Sequence, residues 1–582
     1  MSDQEGTGAA STPPERIVIG IAFGNSNSSI AFTSKEGKAE VIANEDGDRQ
    51  IPSMLSYVQG EEYHGTQAKT HLVRNSKNTI AYFRDFLGQD FKSIDPTPCH
   101  ASAHPIEHES TVAFSIQESA EEGTHVPITV SEITTRHLRR LASSASDFLG
   151  KSVNAAVITV PTDFSEKQRD ALISAAQVAG IDILQIIHEP IATVLAYDAR
   201  PESKVLDKVV VVADFGGTRS DVAIIASRGG MYTILATAHD YSLGGANLDQ
   251  ALIDYFAKEF TKKHKTDPRE NTRSLAKLKL EAEATKKALS LGASGSFSVE
   301  SLADGIDYNS TVNRTRYELL AGKVFSGFTR LVEGAIQKAG LDVLDVDEVI
   351  LSGGASHTPK IACILQSVFP EKASILAPST SATAINPSEL AARGAAIQAN
   401  LIQEFDKEDI EQSTHPVVTA TPHLAYAIGV VAISSDEKHG IFKPLMEAET
   451  AVPVRRSAQI ATPKEGGDVL IRICEGLREI KAHKPEPKPK VNGNKPGNAS
   501  DGDGEDSGVS DDDEEEIRQI VWKAGRVLAE AAIRGVKKGG KVEVGVNVGE
   551  DLSLSITARE VGGKGGVRGV VGRPKAAENG SA

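Results

Sequence analysis

Cysteine is scarce in this chain. Three residues of 582 (Cys99, Cys363 and Cys474) lie far apart, with no metal-ligand spacing and no disulfide framework, a usage that fits a reducing compartment. The N-terminal residues Met1 to Glu15 are small and polar, include Pro13-Pro14, and lack the apolar stretch of a signal peptide. No apolar run is long enough to cross a bilayer. Basic residues are outnumbered: 63 Lys and Arg against 79 Asp and Glu leave a formal charge of −16. That balance opposes a general grip on nucleic acid, which needs a basic face to displace counterions. No G-x-x-x-x-G-K-[ST] run occurs, so a P-loop is excluded.

What is present is a hydrophobic fraction of 40%, enough for large cores, and two stretches of the same design. Val209 to Ala213 is an apolar run of β-formers. It leads through Asp214-Phe215-Gly216-Gly217-Thr218-Arg219-Ser220-Asp221 into a second apolar run, Val222 to Ala226. Two such runs about a glycine turn predict a β-hairpin. Glycines let consecutive backbone N–H groups approach a phosphate, and Asp214 and Asp221 stand where carboxylates could hold hydrated Mg²⁺. Ile17 to Phe32 repeats the design around Gly24-Asn25-Ser26-Asn27. Two phosphate-gripping hairpins, each opening a long α/β segment, suggest a duplicated fold with a nucleotide clamped between halves.

In chain order, residues 1–15 read as a disordered tail. Residues 16–403 alternate strand-like and helix-like segments, which argues α/β. A helical stretch is expected to end at Phe83 to Gly88. Ala155 to Val160 is a strand stopped by Pro161, and a helix follows from Ser165, its candidate cap, to Gly180, its stop. A charged helix covers about Arg273 to Leu289, and Glu283, Lys286, Lys287 and Ser290 share one of its faces. Val349 to Ser352 runs into Gly353-Gly354, and Leu390 to Leu401 is an alanine-rich helix. Residues 404–415 read as a polar linker. Short alternating runs over 416–562 then argue a small all-β sandwich. It is interrupted by a Lys/Pro-rich and then acidic insert, 484–516, that cannot bury a core. Residues 563–582 read as a flexible tail.

Taken together these motifs resemble one family. The ordered set is Ile42-Ala43-Asn44 with Arg49, Thr159-Val160-Pro161, His188-Glu189-Pro190, Asp214 to Asp221, Leu243-Gly244-Gly245, Gly353-Gly354 with Pro359-Lys360, and Ile385-Asn386-Pro387. From Arg16 to about Glu560 the chain resembles the DnaK-type heat-shock-protein-70 chaperones, whose nucleotide domain has the actin-like fold. The resemblance implies ATP in a central cleft, with Mg²⁺ undecided. The residues it implies are Gly24, Asn25, Ser26 and Asn27 in the first hairpin and Gly216, Gly217, Thr218 and Arg219 in the second. Gly244 and Gly245, then Glu283, Lys286, Lys287 and Ser290, then Gly353, Gly354, Ala355 and His357 complete the set.

The departures bear on function. Ala22 stands where the family has a metal-side aspartate, Arg84 where it has a catalytic lysine, and Arg219 where it has a glycine–threonine turn. His357 replaces an arginine that packs on adenine, and Ser388 replaces an aspartate. Arginine is a planar fork rather than a compact ammonium, so Arg84 is not an equivalent. Phosphoryl transfer depends on positioning and charge, and these changes imply ATP binding with little or no hydrolysis, hence a pseudo-ATPase with no catalytic residue. Residue by residue, alternatives stay open: Glu189 as a helix cap, the Glu283/Lys286 face as merely solvated, Arg219 as a surface residue or one reaching a terminal phosphate. The family's leucine-rich linker and helical lid are both missing. Such a short, lidless member resembles the fungal Ssz type. That type pairs with the J-protein zuotin as a stable heterodimer, reaches the ribosome through it, and supports a second, ribosome-bound heat-shock-70 chaperone. On this reading the protein is cytoplasmic and binds neither nucleic acid nor membrane directly. The zuotin-like N-terminal segment is expected to dock on the sandwich, protecting strands such as those at 469–474 or 542–546. An active ATP-driven chaperone is the alternative; a sugar kinase of the actin-like fold is disfavoured by the sandwich.

Overall fold

The computed structural model describes residues 16–95, 102–117, 125–200, 206–414, 422–432, 441–461, 466–483, 517–563 and 566–571. The expected tail 1–15 and insert 484–516 lie outside these. The chain forms two compact units, divided between Thr419 and Ala420.

The first unit contains two sheets of one design. In the first, β1 (Val18–Ala22), β2 (Asn27–Thr33) and β3 (Ala39–Ile42) form an antiparallel meander. On the other side of β1 lie two parallel strands, β4 (Ala155–Val160) and β5 (Asp182–His188). The second sheet repeats this: the meander β6 (Lys208–Phe215), β7 (Ser220–Arg228), β8 (Met231–Asp240), then β9 (Glu348–Ser352) and β10 (Ser374–Leu376) parallel to β6. Strands covered on both faces need apolar residues throughout rather than alternation. Val209 to Ala213 and all of β4 are buried accordingly. This duplicated α/β arrangement is the actin-like one.

Helices cover the sheets. Helix α1 (Glu166–Ala179) starts at Ser165, which accepts from the Gln168 amide in a capping box, and ends at Gly180 with φ 85°. The others needed here are α2 (Glu189–Asp198), α3 (Gly245–His264), α4 (Thr272–Leu291) and α5 (Leu390–Ile402). The alanine-rich character of α5 has a packing cause. A Cβ at Gly394 would lie 1.8 Å from the Ala192 carbonyl oxygen on α2, and one at Gly20 would lie 2.2 Å from the Ala396 nitrogen. Backbones in such contact leave no room for side chains.

Two local readings are corrected. The stretch ending at Gly88 is not one helix: it is a helix at Gly65–Thr70, a strand at Thr79–Ala81 and a 3-10 turn at Arg84–Phe86. Pairing of Thr79–Ala81 with Met54–Ser56, all buried, overrides helical pattern there. The polar linker carries a helix, α6 (Lys407–Thr414). Its Ile410 is buried in a cluster with Val157, Ala395 and Ile402, which anchors a segment otherwise acidic.

The second unit is a sandwich of two four-stranded antiparallel sheets. One runs Ile441–Met446, Ala427–Ala432, Gly467–His483, Ile517–Val536; the other Val454–Ala461, Lys541–Val548, Leu554–Glu560, Gly566–Val571. Val542, Val544, Val546 and Val548 alternate inward to meet Ile473, Val430 and Ile556. The strand at 542–546 is interior and paired on both sides, and residues 472–474 are likewise paired on both sides, so these offer no edge. The edges are elsewhere, and the expected tail supplies one of them, Gly566–Val571. Among the described residues no helix follows Thr414, so no lid is present there, and no helix is long and apolar enough to cross a membrane.

Candidate nucleotide site

The two hairpin tips face each other. Asn25 donates to the Thr218 hydroxyl at 3.0 Å. Gly217 lies so close to Ser26 that a Cβ there would stand 2.3 Å from Ser26 Oγ. The second tip is buttressed by the start of α3: the Gly245 amide donates to Gly216 O at 2.9 Å and the Ala246 amide to Gly217 O at 2.8 Å. Lys286 Nζ on α4 reaches Gly245 O at 3.0 Å and Asp249 at 2.8 Å. Ser26 Oγ and Asn25 Oδ1 are buried without hydrogen-bond partners. A buried hydroxyl of this kind is a donor that an oxyanion would satisfy. The side-chain-free cradle and the nearby ammonium therefore fit a polyphosphate.

Gly353 sits behind β6 with φ 82°, where a Cβ would lie 2.5 Å from Asp214 Oδ1; its amide bonds Pro387 O at 3.1 Å. His357 Nε2 meets Ser388 Oγ at 3.1 Å. Burial lowers the His357 imidazole, and Lys287 lies near enough to lower it further. The helix face and the Gly353-Gly354 turn thus border one region. On that face Glu283 pairs with Lys69 and Lys287, both at 2.7 Å. Burial works against the Glu283 charge, but the two ammonium groups outweigh it and hold the carboxyl at about 2. Ser290 donates to Lys286 O within the helix. Ala355 is buried in the core, so only its backbone is free to face a ligand.

A cleft of about 940 Å³ opens in front of the tips. Asn25, Thr218, Arg219, Asp249 and Glu283 line its polar part, and Met54, Leu72, Phe86, Phe164, Ile253 and Leu280 its apolar part. Lys279 also lines it, and burial alone lowers its ammonium to about 8.

Beside the tips two arginines are held among carboxylates. Arg84, 4% exposed, donates to Asp85 at 2.7 and 2.9 Å, to Glu189 at 3.2 Å and to Phe23 O at 3.2 Å. Glu189 opens α2 and so starts a helix, yet its carboxylate serves Arg84. Arg219 is neither a surface residue nor free for a phosphate. It is 5% exposed; its Nε donates to Asp221 at 2.7 Å and its Nη2 to Asp163 at 2.9 Å, with a second bond to Asp221. Tyr241 lies 4.4 Å beneath it and bonds Asp163 in turn. His239 Nδ1 stands 2.6 Å from Asp221. Burial pushes the Asp221 carboxyl up, but His239 and Arg219 prevail and hold it low. Asp163 is held low in the same way by Arg219 and Tyr241. Asp214 accepts only from Ser352, at 3.0 Å, and burial raises it. Sequence reasoning missed Asp85, Asp163, His239 and Tyr241. Two arginines placed where the resemblance implies smaller or single-headed groups were the available signal, because buried guanidinium groups need carboxylates.

The class follows from this geometry: a nucleotide-binding domain of duplicated actin-like fold, hairpin tips opposed, followed in the chain by a β-sandwich. The family model described as Hsp70 protein matches residues 18–488, and the chain belongs to the Hsp70 family. It is 46% identical over 553 residues to the ribosome-associated complex subunit SSZ1 of Saccharomyces cerevisiae, covering 95% of this chain and 99% of that protein. A heat shock protein 70 homologue of Schizosaccharomyces pombe is 44% identical over 563 residues, 95% of each chain. Heat shock 70 kDa protein 14-B of Xenopus laevis is 33% identical over 462 residues, 78% of this chain and 87% of that one. The near end-to-end similarity to SSZ1 agrees with the Ssz-type character of the motifs.

Proposed function

We propose that the protein is an ATP-holding, essentially non-hydrolysing Hsp70-like subunit of a ribosome-associated complex. It forms a stable heterodimer with a zuotin-like J-protein and reaches the ribosome through it. There it helps that partner stimulate a second, active Hsp70 chaperone on nascent chains. The observation that carries the pseudo-ATPase reading is the pairing of Arg84 with Glu189 and of Arg219 with Asp221 and Asp163. Carboxylates that would order metal and attacking water are engaged by side chains of the protein itself. ATP would be held by the Gly24–Asn27 and Gly216–Thr218 tips with Lys286, and its nucleoside by Glu283, Lys287, Ser290, Gly354 and His357. Bound ATP supplies charge and contact across the two halves. Similarity to a ribosome-associated complex subunit of yeast supports the assembly, as does coverage of nearly that protein's whole length.

The J-protein segment would add to the sandwich as an extended strand, using main-chain bonds along an edge. The edge strand Ile517–Val536 presents Val527 half exposed, and Leu477 on the neighbouring strand, opposite Lys523, is equally so. Isolation of the native protein in high salt tests the assignment. One J-protein should co-purify at unit stoichiometry, and hydrogen exchange should show its protection on that edge. Recovery of the chain alone, or of a changing set of unfolded clients released by ATP, would favour the active-chaperone alternative.

A further inference from the structure

The carboxylates best placed to organise a divalent cation beside a phosphate already enclose a cation. Ligand atoms of Asp163, Asp221 and His239 lie within 4.8 Å of one another, the spacing a metal would require. The guanidinium of Arg219 stands among them, bonded to both aspartates and stacked on Tyr241. We infer that this chain binds its nucleotide without a divalent metal, the Arg219 guanidinium standing in the metal's place among Asp163, Asp221 and His239. The inference rests on the reading that a nucleotide lies between the hairpin tips.

Several features disfavour a metal alongside the arginine. Mg²⁺ requires oxygen ligands at about 2.0–2.1 Å in near-octahedral geometry and retains several waters. The Asp221 oxygens are both engaged, by Arg219 and by His239, and one Asp163 oxygen is bonded to Arg219 while the other is bonded to Tyr241. Arg84 bonds one oxygen of Glu189, at 3.2 Å, and a methyl group, Ala22, stands at the first hairpin where the family places an aspartate. The guanidinium cannot swing aside cheaply. It is pinned from Asp221, from Asp163 and by the ring below, and leaving would strand two partly buried carboxylates. Of these carboxylates Asp214, bonded to Ser352, is left without a bonded cation, a single protein ligand where Asp163 and Asp221 would have offered a cluster. The Arg219 guanidinium neutralises Asp163 and Asp221 as a metal would, without a coordination sphere in which to order an attacking water.

Calorimetry on the full chain stripped of nucleotide tests this, with ATP titrated once in EDTA and once in excess Mg²⁺. The expected result is equal affinity within about threefold. Tighter binding by about tenfold or more in Mg²⁺ would overturn the inference while leaving nucleotide binding intact. Binding in neither buffer would instead defeat the reading on which it rests. Elemental analysis of the desalted, ATP-loaded protein should find magnesium well below one ion per chain; one per chain would overturn the inference. The variant Arg219→Ala frees Asp163 and Asp221, so its ATP binding should become Mg²⁺-dependent. Should that variant fail to fold, the wild-type titrations and the metal content decide the matter alone.

Discussion

Substituting Gly217 tests the clamp most sharply. A Cβ at this position would stand 2.3 Å from Ser26 Oγ and 3.0 Å from Ser26 Cβ. The hydroxyl can rotate away, but the Cβ cannot, and valine adds two further methyl groups. Over-packing of this kind costs about 1–3 kcal/mol, and the simplest relief is separation of the two tips. That breaks the 3.0 Å Asn25–Thr218 bond and moves the Gly217 carbonyl that anchors Ala246. If the ligand is gripped by both tips, Gly217→Val should weaken ATP binding by at least about tenfold, with the sandwich unaffected. Gly354→Ala provides the contrast. The nearest atom to its new Cβ is Ser388 Oγ at 3.9 Å, so the fold should be indifferent and any lost affinity would report a nucleoside at that turn. Calorimetric titration with ATP alongside thermal melts reads both effects. Unchanged affinity in a folded Gly217→Val protein would refute the clamp.

Two further outcomes are expected. Arg84→Ala removes the guanidinium bonded to the largely buried Glu189, whose carboxyl burial raises to about 8 so that it can take up a proton instead, and should cost about 1–3 kcal/mol in chemical denaturation; a loss below about 1 kcal/mol would show that the pair is not needed. His137 lies behind the first hairpin against Phe23 and Phe83, with Nε2 at 3.0 Å from Ser28 Oγ. Burial, with His64 adding, lowers it from 6.5 to about 3, so it stays neutral when folded. Below pH 6.5 the unfolded chain binds a proton that the folded chain refuses. Stability should therefore fall as pH drops from 6.5 toward 3, by up to about 1.4 kcal/mol per pH unit from this group. An NMR titration finding His137 protonated near 6.5 would contradict this.

Much of the fold was legible because its signals are local. Ser165 with Gln168 and Gly180 mark a helix by capping chemistry, and Val209–Val212 marks a doubly covered strand by continuous apolarity. The duplication could be read from two hairpins of one design. The stretch before Gly88 was misread because strand pairing with Met54–Ser56 is a long-range choice that periodicity does not carry. Edge and interior strands of the sandwich are likewise indistinguishable in sequence, since pairing partners decide them. Within the site, the glycine tips were visible by motif. The fate of Arg219 was not, because its partners Asp163, Asp221 and Tyr241 are brought together only by the turn of the second hairpin against the end of β4.

Retention of ATP without cleavage is the property on which the proposed function turns. Single-turnover measurement decides it: the native protein is loaded with γ-labelled ATP, freed of excess nucleotide and followed for released phosphate. ATP should stay bound and intact over many times the turnover period of an active family member. Phosphate release at an ordinary family rate, without any partner, would contradict it.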